Sequence, residues 1–252
     1  MKIDTAIKRE HLPTYVQEHL MFFDSLQKNG LVAGITFAGL DVLIAVPLFY
    51  PTNNIFFWAL FPFLLFINIW AIRLLFKNFY SIQYELILFI GSIGAIGSYT
   101  YYLLALKMAY HYVNITEPIY YITSIAIFII SVISLIVYQI KKYSNIQPVN
   151  NKERELEETI KERKEKYYSV AAIFPALGYF VAQNWIVKSV DLALGILVLV
   201  FYLMSFFYAY IGAKFFHRYF FMKANPNFVY LLKPSKSEIK EMRKKGKEII
   251  IK

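Results

Sequence analysis

Asp41 is the one carboxylate in the apolar run ITFAGLDVLIAVPLF, Ile35 to Phe49. A charge at the centre of a bilayer costs at least ~2.5–3.5 kcal/mol, so this side chain must face a bundle interior or a wet cavity. Two chemistries compete for it: a cation or proton site, or an interhelical hydrogen bond that specifies packing. Asn68, in the second apolar run, lies at a depth of ~12 Å against ~15 Å for Asp41 and is the expected partner. Arg73 is closer to the boundary, where it is expected to snorkel outward, with a water-bridged Asp41–Arg73 pair as the alternative. Lys107 and Lys214, near helix ends, read as snorkelling anchors as well.

Other reactive side chains are dispersed. The four histidines are His11, His19, His111 and His217, and none has the HExxH or HxxxH spacing that puts two ligands on one helix face. Cysteine is absent, which removes disulfides, thiolate nucleophiles and cysteine-based zinc sites together. His217, in FFHRYFF, reads as an anchor or a lipid-headgroup contact. Within the apolar runs the hydroxyls are isolated Ser, Thr and Tyr with no base beside them, so neither a catalytic set, a metal nor a cofactor is expected.

The segment GSIGAIGS, Gly91 to Ser98, carries a different signal. Gly91 with Ala95, and Gly94 with Ser98, are small residues four apart on adjoining rows of a helix, and Ala105 and Ala109 continue the spacing. Such a face lets another backbone approach closely, in the same chain first and in a homodimer next.

The elements that must hold these residues follow from composition. Hydrophobic residues make up 58% of the 252 and charged ones 17%, against ~45–50% and ~25% in a soluble domain, so the chain is expected to be an integral membrane protein. A helix needs ~20 apolar residues to span the bilayer, and six runs qualify: Leu31 to Tyr50, Ile55 to Phe76, Leu86 to Tyr110, Ile119 to Ile140, Ser169 to Ile186 and Ala193 to Ala213. They lack the alternation of a barrel strand, so the fold class is all-α and polytopic. The fifth run is short and holds Pro175, Gly178, Gln183 and Asn184, which also suits a re-entrant segment. The first has no cleavage site behind it and reads as an uncleaved signal anchor.

Of the 27 Lys and Arg, all but Lys107 and Lys188 fall on one side of this arrangement, which predicts both termini in the cytoplasm. Tyr and Trp near the ends of the runs read as two interfacial belts, Tyr80 and Tyr143 belonging to the inner one. The chain then divides into a cytoplasmic interfacial segment (1–30), helices 1–4 (31–140), a charged helical loop (141–168), helices 5–6 (169–222) and a basic tail (223–252).

Leu12, Tyr15, Val16, Leu20, Phe23 and Leu26 recur at helical spacing and predict an interfacial helix before the first span. In the loop, eight basic residues face six acidic ones, which gives no footprint for nucleic acid. Lys240, Arg243, Lys244, Lys245 and Lys247 in the tail form a patch suited to anionic lipid, at about 1 kcal/mol per residue near the surface. Asn114-Ile115-Thr116 matches a glycosylation acceptor but sits too close to the bilayer to serve.

The wealth of Lys, Ile, Tyr, Phe and Asn points to an AT-rich bacterial genome. A close-packing helix face beside charged cytoplasmic segments is expected of a non-enzymatic plasma-membrane interaction protein, an immunity or accessory factor with a membrane-protein partner or a homodimer. The alternative is a small permease or transporter subunit with Asp41 as its ion site.

Overall fold

The computed structural model describes residues 2–4, 7–23, 28–49, 55–144, 146, 148 and 190–230. Those residues are helical, with no strand among them, and five helices are long and apolar enough to cross a membrane. In chain order the helices are α1 (Thr14–His19), α2 (Gly30–Phe49), α3 (Ile55–Phe76), α4 (Gln83–His111), α5 (Pro118–Lys142) and α6 (Val190–Ala224). The expected fifth run, Ser169 to Ile186, lies outside the described residues, as do most of the charged loop and of the basic tail.

The helices begin and end where local chemistry directs. Pro118 opens α5 at the first helical position, where its missing N–H costs nothing, and Lys141 and Lys142 close it against the dipole. Between α4 and α5 the chain reverses with Ile115 N–H on the Ala109 carbonyl at 3.0 Å. Asn114 takes φ 56° there, a left-handed conformation Asn tolerates better than most residues. Over Gly30–Ala45, α2 is wound wide, with hydrogen bonds reaching five residues back, as from Val46 N–H to Asp41 C=O, before it tightens at Val46–Phe49.

α4 is the central element, and most of its side chains are buried. α2 and α3 pack on one side of it and α6 on the other, while α5 rests on α6. α4 and α6 run antiparallel: Gly91 meets Phe216, Gly94 meets Gly212 and Ser98 meets Ser205. α5 and α6 run parallel, because Tyr120 meets Tyr202 at one end and Tyr143 meets His217 at the other. The second of these ends also gathers Lys28, Lys77, Lys142, Lys214 and Lys223, and is called the basic end below.

Two expectations are corrected here. The last apolar run was expected to stop at Ala213, in a division that carries helices 5–6 to 222, but α6 continues to Ala224 and then a 3-10 turn at Pro226–Phe228. Its extra turns supply Phe221 and Met222, both buried, to a small core at the basic end. The other half of that core is the N-terminal segment, which was expected to lie on lipid as one interfacial helix. Instead it folds as a 3-10 turn (Arg9–His11) and the short α1, with Leu12, Val16 and Leu20 buried against protein. Its backbone is satisfied from α6 and the residue just after it: Ile3 N–H donates to Asn225 Oδ1 at 2.6 Å, and Arg218 donates to the Met21 carbonyl. A polar backbone so served can leave water without penalty.

Candidate functional site

Asp41 on α2 and Asn68 on α3 meet across the helix seam, with Asn68 Nδ2 donating to Asp41 Oδ1 at 3.1 Å. The second amide hydrogen goes to the Leu64 carbonyl at 2.9 Å, one turn back on the same helix. Asp41 remains partly exposed. Arg73 is not part of this pair. Its guanidinium binds Glu85 Oε1 at 3.0 Å, and the same oxygen accepts from the Trp70 indole at 2.9 Å. Lys77 approaches Glu85 Oε2 at 3.6 Å. Glu85, in the first turn of α4, thereby ties down the end of α3, and no role for it was visible in the sequence.

Lys107 is a correction. Expected to snorkel outward, it is 1% exposed and donates to the carbonyls of Pro47 at 2.7 Å and Leu48 at 3.1 Å. These belong to the last turn of α2, whose carbonyls have no partner within the helix, and an ammonium there also complements the negative end of the helix dipole. Lys28 does the same for α3, donating to the carbonyls of Leu75, at 3.1 Å, and Lys77. Two buried lysines therefore act as helix caps.

The small-residue face of α4 is occupied within the chain. A β-carbon placed on Gly94 would stand 2.4 Å from the backbone nitrogen of Gly212 and 2.7 Å from its Cα, so the two helices touch backbone to backbone. On Gly91 it would meet Phe216 at 3.2 Å. One turn beyond, Ser205 Oγ donates to the Ser98 carbonyl at 2.8 Å. Ala95 lies at the margin, its amide nitrogen 3.0 Å from a β-carbon placed on Gly212 and its side chain exposed.

At the basic end an aromatic and imidazole cluster joins three segments. His19 Nε2 and His217 Nδ1 are 3.1 Å apart, one ring nitrogen donating to the other. Tyr143, just past α5, stacks on both rings at centroid distances of 4.2 Å and 4.8 Å. The reading of Tyr143 and Tyr80 as belt residues is corrected, since both are buried. His19 has its pKa pushed down to about 2, first by burial, then by the adjoining His217 and by the positive charge of Arg218, Lys214 and Lys142, so it is a neutral imidazole. Burial also raises the Tyr143 phenol well above its usual range. His217, read from the sequence as an anchor or headgroup contact, is also a partner of His19. A signal for this existed: His19 continues the stripe of Leu12, Tyr15 and Val16 at helical spacing, which puts it on the face that is buried.

Alongside the cluster runs a groove of about 620 Å³ between α4, α5 and α6. Small residues of α6 (Ala209, Gly212, Ala213) form its floor, Phe128, Val132, Ile136 and Ile140 of α5 its wall, and His217 its basic end. Among the described residues, polar and ring contacts fasten α5 to α6 on either side of it. On one, Tyr202 OH meets Tyr120 OH at 3.0 Å and Ser124 Oγ at 2.9 Å; on the other, Tyr143 stacks on His217.

No group of three or more metal-ligating side chains occurs among the described residues. Lys240, Arg243, Lys244, Lys245 and Lys247 lie outside them. The chain matches no protein-family model, no curated protein and no solved structure.

Proposed function

We propose that this chain is a non-enzymatic six-span protein of a bacterial plasma membrane, with both termini cytoplasmic, which acts as an immunity or accessory factor by binding a membrane partner. The parallel course of α5 and α6 supports the sixth crossing. A chain leaving α5 beside His217 must return to the opposite end before it enters α6 at Val190. The concentration of Lys and Arg at the basic end supports that side as cytoplasmic, with the tail patch from Lys240 to Lys247 on anionic lipid.

One observation carries the interaction reading. Of the 25 residues of α5, Gln139 is the buried one, and the outward isoleucines at 122, 129, 130 and 133 are exposed. The small-residue face of α4 is already used by α6, so a partner is received on α5 instead. Because the chain has no cysteine, Ile129→Cys is a clean cross-linking site. A single adduct with one membrane protein in intact cells, lost in Ile133→Lys, supports the reading; adducts with many proteins or with none overturn it.

The partial exposure of Asp41 supports a second reading, a small permease with this carboxylate as its ion site. Proton or cation flux into liposomes that disappears in Asp41→Asn, with the fold retained, would establish it in place of the first.

A further inference from the structure

The groove between α4, α5 and α6 is one leaflet long. Its wall runs along α5 from Phe128 to Ile140, and at 1.5 Å per residue this is ~18 Å, against ~15 Å for half of a ~30 Å hydrocarbon core. At its far end Phe128 stacks on Tyr102 at 4.4 Å and marks the limit of the groove, beyond which a separate, more polar hollow of about 410 Å³ begins. At its near end it reaches His217, with Lys214 one turn earlier on α6 and Lys142 at the end of α5. Both lysines lie close enough to act electrostatically on His19, which meets His217, so this end of the groove carries positive charge.

These dimensions select the occupant. The groove is long and apolar, with small residues for a floor, a shape that suits a single hydrocarbon chain. The lining is apolar except for Ser98, Tyr99 and His217, so water has few partners there. An unfilled apolar gap would forfeit dispersion contacts along its whole length. Resting on the bilayer reading above, we propose that the groove binds one acyl chain of an anionic phospholipid, whose headgroup sits at the basic end beside His217, Lys214 and Lys142. This site is distinct from the tail patch, because it holds the lipid by chain and headgroup together.

The test uses the full chain in vesicles, with a bimane fluorophore on Ile136→Cys in the groove or on Ile130→Cys on the outward face of α5. Quenching is compared for dibrominated phosphatidylglycerol and dibrominated phosphatidylcholine. The groove probe is expected to favour the anionic lipid by about fivefold for each lysine engaged, and Lys142→Glu with Lys214→Glu to abolish the preference. The outward probe is expected to be quenched equally by both lipids. Equal quenching at the groove, or retention of the preference in the lysine double variant, overturns the proposal. A disulfide between Ile136→Cys and Phe174→Cys, with neither lipid quenching the groove probe, would assign the groove to the chain itself and also overturn it. If neither lipid quenches even the outward probe, the bilayer reading fails instead.

Discussion

His19 Nε2 lies 3.1 Å from His217 Nδ1, although 198 residues separate them in the chain, and this contact fastens the N-terminal segment to the end of α6. His19 is 3% exposed and neutral, with a pKa of about 2 in the fold against 6.5 outside it. Between those values the unfolded chain binds more protons than the folded one. Stability present above pH 6.5 is therefore lost as the pH falls, at up to about 1.4 kcal/mol per pH unit from this group. Thermal unfolding in detergent from pH 7.5 to pH 4 is expected to show that fall. His19→Phe keeps a ring on Tyr143 and removes the proton, so its profile should be flatter by this amount. Identical profiles for the two proteins would contradict the assignment.

The backbone contact of Gly94 with Gly212 makes a sharp comparison with Gly195, which has nothing within 4 Å of a β-carbon. Gly94→Ala must push α4 and α6 apart and is expected to cost about 1–3 kcal/mol, the usual range for overpacking. Gly195→Ala should be neutral or slightly stabilising, because alanine is the better helix former. Chemical denaturation of both variants in the same detergent checks the difference.

Lys107 caps α2 from inside the protein, so its loss should resemble removal of a charged hydrogen-bond donor rather than of a surface anchor. Lys107→Met keeps the aliphatic volume and leaves the Pro47 and Leu48 carbonyls without this donor. The expected cost is about 1–3 kcal/mol. Hydrogen exchange in α2 should rise in the variant, whereas an anchor would leave α2 unaffected.

For the pair inside the bundle, Asp41→Asn retains an acceptor for Asn68 and should leave stability within about 0.5 kcal/mol. Asn68→Leu removes the donor and is expected to cost about 0.6 kcal/mol, the average for such bonds in lipid, and at most about 1.7 kcal/mol. A much larger loss in Asp41→Asn would mean that the negative charge itself holds the helices.

Five of the six expected spans correspond to described helices, Ile55–Phe76 with the expected ends and the other four with shifted ones, because a run of some twenty apolar residues has few other physical outcomes. The Asp41–Asn68 contact was also accessible, since depth along two helices is simple arithmetic. Lys107 was misjudged, and the His19 contact of His217 was missed, for a shared reason. Near a helix end, a polar side chain can reach water or another helix's carbonyls and rings, and sequence contains nothing that distinguishes the two. The N-terminal stripe was misplaced similarly, because lipid and protein accept the same apolar face.

Composition and run length by themselves determined that this chain is helical, that several helices are long and apolar enough for a membrane, and that α4 offers a close-packing face. Local interactions along the chain carry that information. Only the tertiary structure decided that α6 takes that face, that Lys28 and Lys107 cap other helices, and that His19 finds His217. Each of these depends on which helix lies beside which, a choice settled by interactions between residues far apart in the chain.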